Sequence, residues 1–289
     1  MKKIRNYVLL CIVLVLILPC LIVLIFQKNG KVLIMGVEQT ERYLPGILYQ
    51  TIGSEMHVET LKAQAVITRS NLIKALQEQT ITYQQLQDTY SLAEKKLKEE
   101  DSVFYERLVR ACQETEGEVL FYNEEICYCP YFYVSNGTTR DAFSFFQDGR
   151  YPYIVAVPSH RDEECKSYIT YHHFTTEEFS QKMNELCENT FEQQIEILET
   201  DASGYITWLK IGNSMVGGEV FCEALQLSSS CFSIEQTEEG IRITCKGRGH
   251  GFGFSQYGAN AMAIEQKDYQ ELLEYYFHNI TIENVYTFS

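Results

Sequence analysis

Two stretches of the chain carry side chains suited to catalysis or ligand binding. The first is GRGHGFGFSQYGANAMA at 247–263, where five glycines surround His250, Ser255, Gln256 and Tyr257, in a chain with only 17 glycines among 289 residues. Glycines at this density let a backbone turn tightly and approach a ligand that side chains would obstruct. The stretch is no serine-hydrolase elbow, because its phenylalanines and Gln256 break the G-x-S-x-G pattern. GHGFGF also lacks the third glycine of a nucleotide-binding loop. The second stretch is SEMHVETLKAQ at 54–64, with Glu55 and Glu59 four residues apart. If 51–59 is helical, Thr51, Glu55 and Glu59 share one face. A carboxyl there acts as acid and base if burial raises its pKa toward neutrality.

Cysteine and histidine offer a different chemistry. Eight cysteines lie beyond residue 31: Cys112, Cys127, Cys129, Cys165, Cys187, Cys222, Cys231 and Cys245. Cys127 and Cys129, with His160, Cys165, His172 and His173, are types that ligate zinc, but no C-x₂-C pair or paired-knuckle spacing is present. No metal and no cofactor is assigned. Buried thiols and one to four disulfides both remain open, Cys222 with Cys231 being one candidate pair across a turn.

The framework that holds these residues begins after YVLLCIVLVLILPCLIVLIF at 7–26, twenty residues without a charge and long enough to cross a bilayer as a helix. No small-x-small site closes this run, so an uncleaved single-pass anchor is expected, with 1–30 as N-terminus and span and 31–289 as one extracytoplasmic domain at the cell membrane. Five of the 24 Lys and Arg lie in residues 1–31, which leaves 19 against 39 acidic residues, a balance of −20 outside. Such a surface repels nucleic acid.

Within 31–289 the reading is α+β, with a helical part over about 41–115 and a β-rich part over about 117–289. KVLIMGV at 31–37 reads as a short strand, and Pro45 and Gly46 are expected to break the helical period of 41–52. Residues 54–76 form the clearest amphipathic helix, with Val58, Leu61, Ala65, Thr68, Leu72 and Ala75 on one face. Residues 83–115 read as two outer helices. Asn123-Glu124 marks a hairpin turn, YPYIVAVPSH a strand, 175–187 a capped helix, and 191–245 an antiparallel sheet.

Four segments in order, ERYLPGILYQTIGSEMHVETLKAQAVITRS, ETEGEVLFYNEEI through YPYIVAVPS, VGGEVFCEALQLSSSCFSI and GRGHGFGFSQYGANAMA through YQELLEYYF, resemble the stage II sporulation protein D family, whose domain is also called the amidase-enhancer domain. The resemblance spans nearly the whole region beyond the apolar run. It implies an envelope protein that acts on peptidoglycan during engulfment of the forespore. Its partners would be glycan strands stripped of stem peptides, a membrane-bound cell-wall amidase and other engulfment membrane proteins. The implied activity is that of a lytic transglycosylase. One carboxyl protonates the glycosidic oxygen and then takes the proton of the hydroxyl that closes the anhydro ring, whereas ordinary glycoside hydrolysis uses two.

The family pattern carries two glutamates, the first in a Glu-Met-Pro step and the second eight residues later. Thr51 stands at the first position here and Glu59 at the second, while Glu55-Met56 follows Thr51 by four residues. The resemblance therefore makes Glu55 and Glu59 the candidate catalytic residues, and Arg69, Ser135, Arg140, His250, Ser255, Gln256 and Tyr257 the candidate lining of a glycan-binding cleft. An aromatic, Phe132 or Tyr133, stands where the pattern has a histidine, and Cys222 where it often has an arginine. The competing expectation is a catalytically silent glycan-binding protein that recruits or activates an amidase.

Overall fold

The computed structural model describes residues 38, 40–146, 148–187 and 195–287. The apolar run at 7–26 and the strand expected at 31–37 lie outside these residues. Among the described residues no helix is long and apolar enough to cross a membrane.

Helix α1 (40–51) runs straight through Pro45 and Gly46, where the sequence predicts a break. Leu44 and Leu48 are buried with Leu61, Phe104 and Leu108, and that packing outweighs the missing N–H of Pro45. Helix α2 (Val58–Gln77) begins four residues later than expected. Residues 52–57 form a turn instead, so Thr51, Glu55 and Glu59 do not share a helix face. Three contacts fix the turn. Met56 is buried in the α1–α2 core, which is worth about 1.5–3 kcal/mol. Arg107 donates to the carbonyls of Ser54 and Met56. His57 caps α2, its Nδ1 accepting the Glu59 N–H at 3.3 Å.

Helix α2 is the axis of the molecule rather than an amphipathic surface helix. Residues on all sides of it are buried, among them Leu61, Gln64, Val66, Arg69 and Ile73. Helices α3 (Tyr83–Glu100) and α4 (Ser102–Glu114) form the outer layer that the sequence predicts. Strands β1 (Glu118–Tyr122) and β2 (Glu125–Ile126) make the predicted hairpin, with Asn123 and Glu124 at φ 50° and 67°. Strand β3 (Tyr131–Phe132) follows, then the short helix α5 (Ala142–Phe146). YPYIVAVPSH is not a strand: Ile154 and Val157 are buried, and their carbonyls accept from Ala142 and Thr139 in an irregular pairing.

The middle of the chain forms two three-stranded antiparallel sheets. One has the order β4 (Ile169–Phe174), β9 (Gly240–Lys246), β8 (Phe232–Thr237), and the other β5 (Ile195–Thr200), β6 (Ile206–Ile211), β7 (Ser214–Gly217). Helices α6 (Thr176–Cys187) and α7 (Gly218–Leu225) pack with them around Phe179, Leu209, Phe221 and Ile243. Thr175 caps α6 reciprocally with Glu178, as its sequence implies. The C-terminal elements then return to α2. Strand β10 (Phe254–Ser255) pairs in parallel with β3, helices α8 (Gln256–Ile264) and α9 (Tyr269–Tyr276) contact α2, and β11 (Thr281–Asn284) pairs with β1. The fold is mixed helix and sheet with a helical N-terminal part.

Candidate functional site

The glycine-rich loop lies along the segment that contains β3. Val134 and Arg248 exchange backbone hydrogen bonds, Arg140 N–H donates to the Gly251 carbonyl at 2.8 Å, and Phe254 N–H to the Pro130 carbonyl at 3.0 Å. Gly251 has φ +81°, and a Cβ there would stand 2.7 Å from the Tyr205 ring and 2.9 Å from Arg140 Cδ. This glycine is needed for close approach as well as for its left-handed backbone.

Side chains alternate across an extended segment, and here the alternation divides the predicted site. Phe132 points one way, with His250 edge-on at 5.7 Å. Tyr133 points the other way, with Tyr257 edge-on at 6.5 Å and the Arg248 guanidinium 5.9 Å from its ring. The Tyr133 phenol is pushed up to about 12, by burial first and then by Cys165 and Glu55, with Arg248 opposing. Glu55 is exposed on the 52–57 turn beside it, its carboxylate folded back over Gly53. Glu55, Tyr133, Arg248 and Tyr257 thus form one partly exposed cluster on this side of the segment.

Beneath this cluster lies a second set. The Gln256 amide donates to the Thr51 carbonyl at 2.8 Å and to Gln64 Oε1 at 3.1 Å, tying the start of α8 to the end of α1 and the middle of α2. Asn260, one turn on, accepts the His57 N–H at 2.6 Å. Ser255 caps α8 and donates to both carboxylate oxygens of Asp162, at 2.9 and 2.8 Å, while Ser135 N–H donates to the same carboxylate at 2.8 Å. Asp162 is fully buried, and burial raises its pKa against the hydrogen bonds of Ser135, Ser255 and Ser159. Sequence reasoning missed this carboxylate. RDEEC at 161–165 resembles any acidic surface turn, and only tertiary folding sets Asp162 among three serines.

The remaining candidates face away from the cluster. His250 Nδ1 accepts the Phe252 N–H at 3.1 Å and its ring stacks on Phe252 at 5.9 Å. Burial lowers its pKa, against the pull of Glu219 and with Arg140 acting in the same direction as burial. Arg140 is enclosed by Phe145, Tyr205 and Phe252, whose ring centres lie 4.4–4.7 Å from its guanidinium. It donates to Asp201 at 2.6 Å, Glu219 at 2.5 Å and the His250 carbonyl at 3.0 Å. Arg69 is buried against Glu41 at 2.5 Å and the carbonyls of Cys112 and Glu118, and joins α1, α4 and β1. The Glu59 carboxylate is occupied by Lys62 at 2.9 Å and by the Tyr269 N–H, at the start of α9, at 3.0 Å. Of the nine residues singled out, Glu55 and Tyr257 belong to the cluster, Ser135, Ser255 and Gln256 lie beneath it, and Glu59, Arg69, Arg140 and His250 brace the surrounding elements.

Among the described residues no group of three or more His, Cys, Asp or Glu side chains is placed to hold a metal ion. The eight cysteines beyond residue 31 form no disulfide. Cys222 is buried, and Cys231 accepts from the Asn136 amide at 3.3 Å.

The sequence has counterparts among known proteins. Residues 28–122 match the family described as Stage II sporulation protein. The chain is 28% identical over 262 residues to stage II sporulation protein D of Bacillus subtilis (strain 168), an alignment covering 86% of this chain and 75% of that one. The chain is similar to stage II sporulation protein D over most of its length. The protein of that name from Bacillus amyloliquefaciens is 26% identical over 269 residues, with 86% and 75% covered. An uncharacterized protein of Brachyspira hyodysenteriae (strain ATCC 49526 / WA1) is 26% identical over 272 residues, with 88% and 69% covered. Thr51 ends α1 and donates back to the carbonyls of Ile47 and Leu48 at 3.2 and 3.1 Å.

Proposed function

We propose that this chain is a sporulation protein of the cell envelope that binds peptidoglycan glycan strands at the cluster of Glu55, Tyr133, Arg248 and Tyr257. On this reading residues 7–26 anchor it in the membrane, the rest lies outside, and its role is to recruit or activate a cell-wall amidase at the strand it holds. The observation that carries the binding reading is the state of the carboxyls. Thr51 replaces the first glutamate, Glu59 is committed to Lys62 and the start of α9, and Glu55 is exposed. A proton donor for glycosidic cleavage needs a carboxyl that burial keeps protonated. The cluster itself suits a sugar polymer, offering two half-buried tyrosine rings with a cation and an anion beside them.

A second reading, lytic transglycosylase activity with Glu55 as acid and base, is favoured by the position of Glu55 next to Tyr133. One experiment separates them. The full chain in detergent is incubated with denuded glycan strands, bound strand is recovered, and the strand ends are analysed by mass. Retention of strand without anhydro ends is expected. Anhydro ends that disappear with Glu55→Gln would establish the enzyme instead, and absence of both binding and cleavage would overturn both readings.

A further inference from the structure

A second surface rich in tyrosine lies at the other end of β3. The β1–β2 hairpin and the segment 149–153 enclose a cavity of about 390 Å³ whose lining includes Lys74, Tyr122, Arg150, Tyr151 and Tyr153. Its rings are in contact, Tyr122 and Tyr153 at 5.2 Å between centres and Tyr151 and Tyr153 at 6.3 Å, and Tyr128, outside the lining, lies 5.7 Å from Tyr151. Tyr153 is buried beneath, while Tyr128 is 43% exposed and Tyr122 and Tyr151 are half-buried. The outer rings therefore present area to solvent that the core does not use. Of the two lining cations, Lys74 is committed to Glu78 and the Ile126 carbonyl. Arg150 is paired with Asp148 at 2.6 Å but is 61% exposed, so that a carboxylate from solvent can compete for it, and it lies 5.2 Å from the Phe146 ring and 6.0 Å from that of Tyr151.

Strand β3 connects this surface to the Glu55 cluster. Tyr131 and Tyr133 are two residues apart on the same side, about 7 Å along the strand. Tyr133 belongs to the Glu55 cluster, whereas Tyr131 hydrogen-bonds the Thr51 side chain and neighbours Tyr128. A tyrosine presents an apolar face that packs on the C–H face of a sugar ring and a hydroxyl that replaces water on the sugar's own hydroxyls. Rings gathered at both ends of β3 fit an extended polysaccharide better than a small ligand. We propose that the surface of Tyr122, Tyr128 and Tyr151 is a second sugar-binding subsite, holding the same glycan strand that occupies the Glu55 cluster, with Arg150 facing a lactyl carboxylate of that strand. The inference rests on the glycan reading above and adds a site and a strand length to it.

The test compares the affinity of the full chain in detergent for long denuded strands and for a tetrasaccharide cut from them. The Tyr128→Ala/Tyr151→Ala variant is expected to lower long-strand affinity by roughly tenfold and to shrink the ratio of long to short affinity, because one strand then meets one subsite rather than two. Arg150→Glu alters only an exposed side chain and keeps the test decisive if the tyrosine variant is unstable. It should weaken binding of native strands but not of strands whose lactyl carboxyls have been reduced to alcohols. An unchanged ratio in the tyrosine variant, or equal loss on native and reduced strands with Arg150→Glu, overturns the second subsite while strand binding by the wild-type chain stands. Failure of the wild-type chain to bind any strand overturns the glycan reading itself and this one with it.

Discussion

At Asp162 burial and hydrogen bonding act in opposite directions, and the raised pKa shows that burial prevails. A carboxyl whose folded pKa exceeds its unfolded value stabilises the fold most below the unfolded value, and that contribution is lost as pH rises through the folded value. Asp162→Asn removes the titration. The stability deficit of this variant should therefore be largest below about pH 4 and shrink as pH rises, which urea denaturation of both proteins across that range would measure. A deficit independent of pH would refute the assignment. Arg69 is also fully buried. Arg69→Ala removes the ion pair with Glu41 and the donors to the Cys112 and Glu118 carbonyls, and should cost about 3–5 kcal/mol of unfolding free energy. Arg110→Ala, removing an exposed pair with Glu114, should cost at most about 0.5 kcal/mol.

Among the elements, the glycine-rich loop tests the difference between backbone freedom and close approach. Gly212, in the turn between β6 and β7, has φ +56° and open space around it, with nothing within 4 Å of where a methyl group would stand. Gly212→Ala should cost only the left-handed conformation, about 1–2 kcal/mol. Gly251→Ala adds the collision with Tyr205 and Arg140 and should cost more than about 3 kcal/mol. Thermal unfolding of the two variants measures the contrast, and equal losses would mean that the loop yields to the extra methyl group. Helix boundaries carry the same lesson. The period of 54–76 implies one continuous helix, yet Met56 inserts into the core and Arg107 holds the carbonyls of the preceding turn. That turn gives Glu55 its exposed place.

Across the whole molecule, the cysteines report how completely the core closes. Cys112 and Cys129 are buried, and burial pushes the Cys112 thiol up to about 12 and that of Cys129 well above its ordinary value. Both should resist alkylation at pH 8 in the native protein and react on unfolding, whereas the half-buried Cys187 and Cys231 should react before them. Peptide mapping by mass spectrometry checks the order, and early labelling of Cys129 would show an open core. Local periodicity, turn chemistry and residue order suffice for the α+β class, the outer helices α3 and α4, the β1–β2 hairpin, the α6 cap and the resemblance to the sporulation protein D family. Tertiary folding supplies the rest: α2 is buried on all sides, Phe132 and Tyr133 send His250 and Tyr257 to opposite faces, and Asp162 lies under three serines. It also turns Glu59 and Arg69 into braces of the frame. Each of these depends on partners tens to hundreds of residues away, and no local pattern encodes which distant surface will desolvate a given carboxylate or guanidinium.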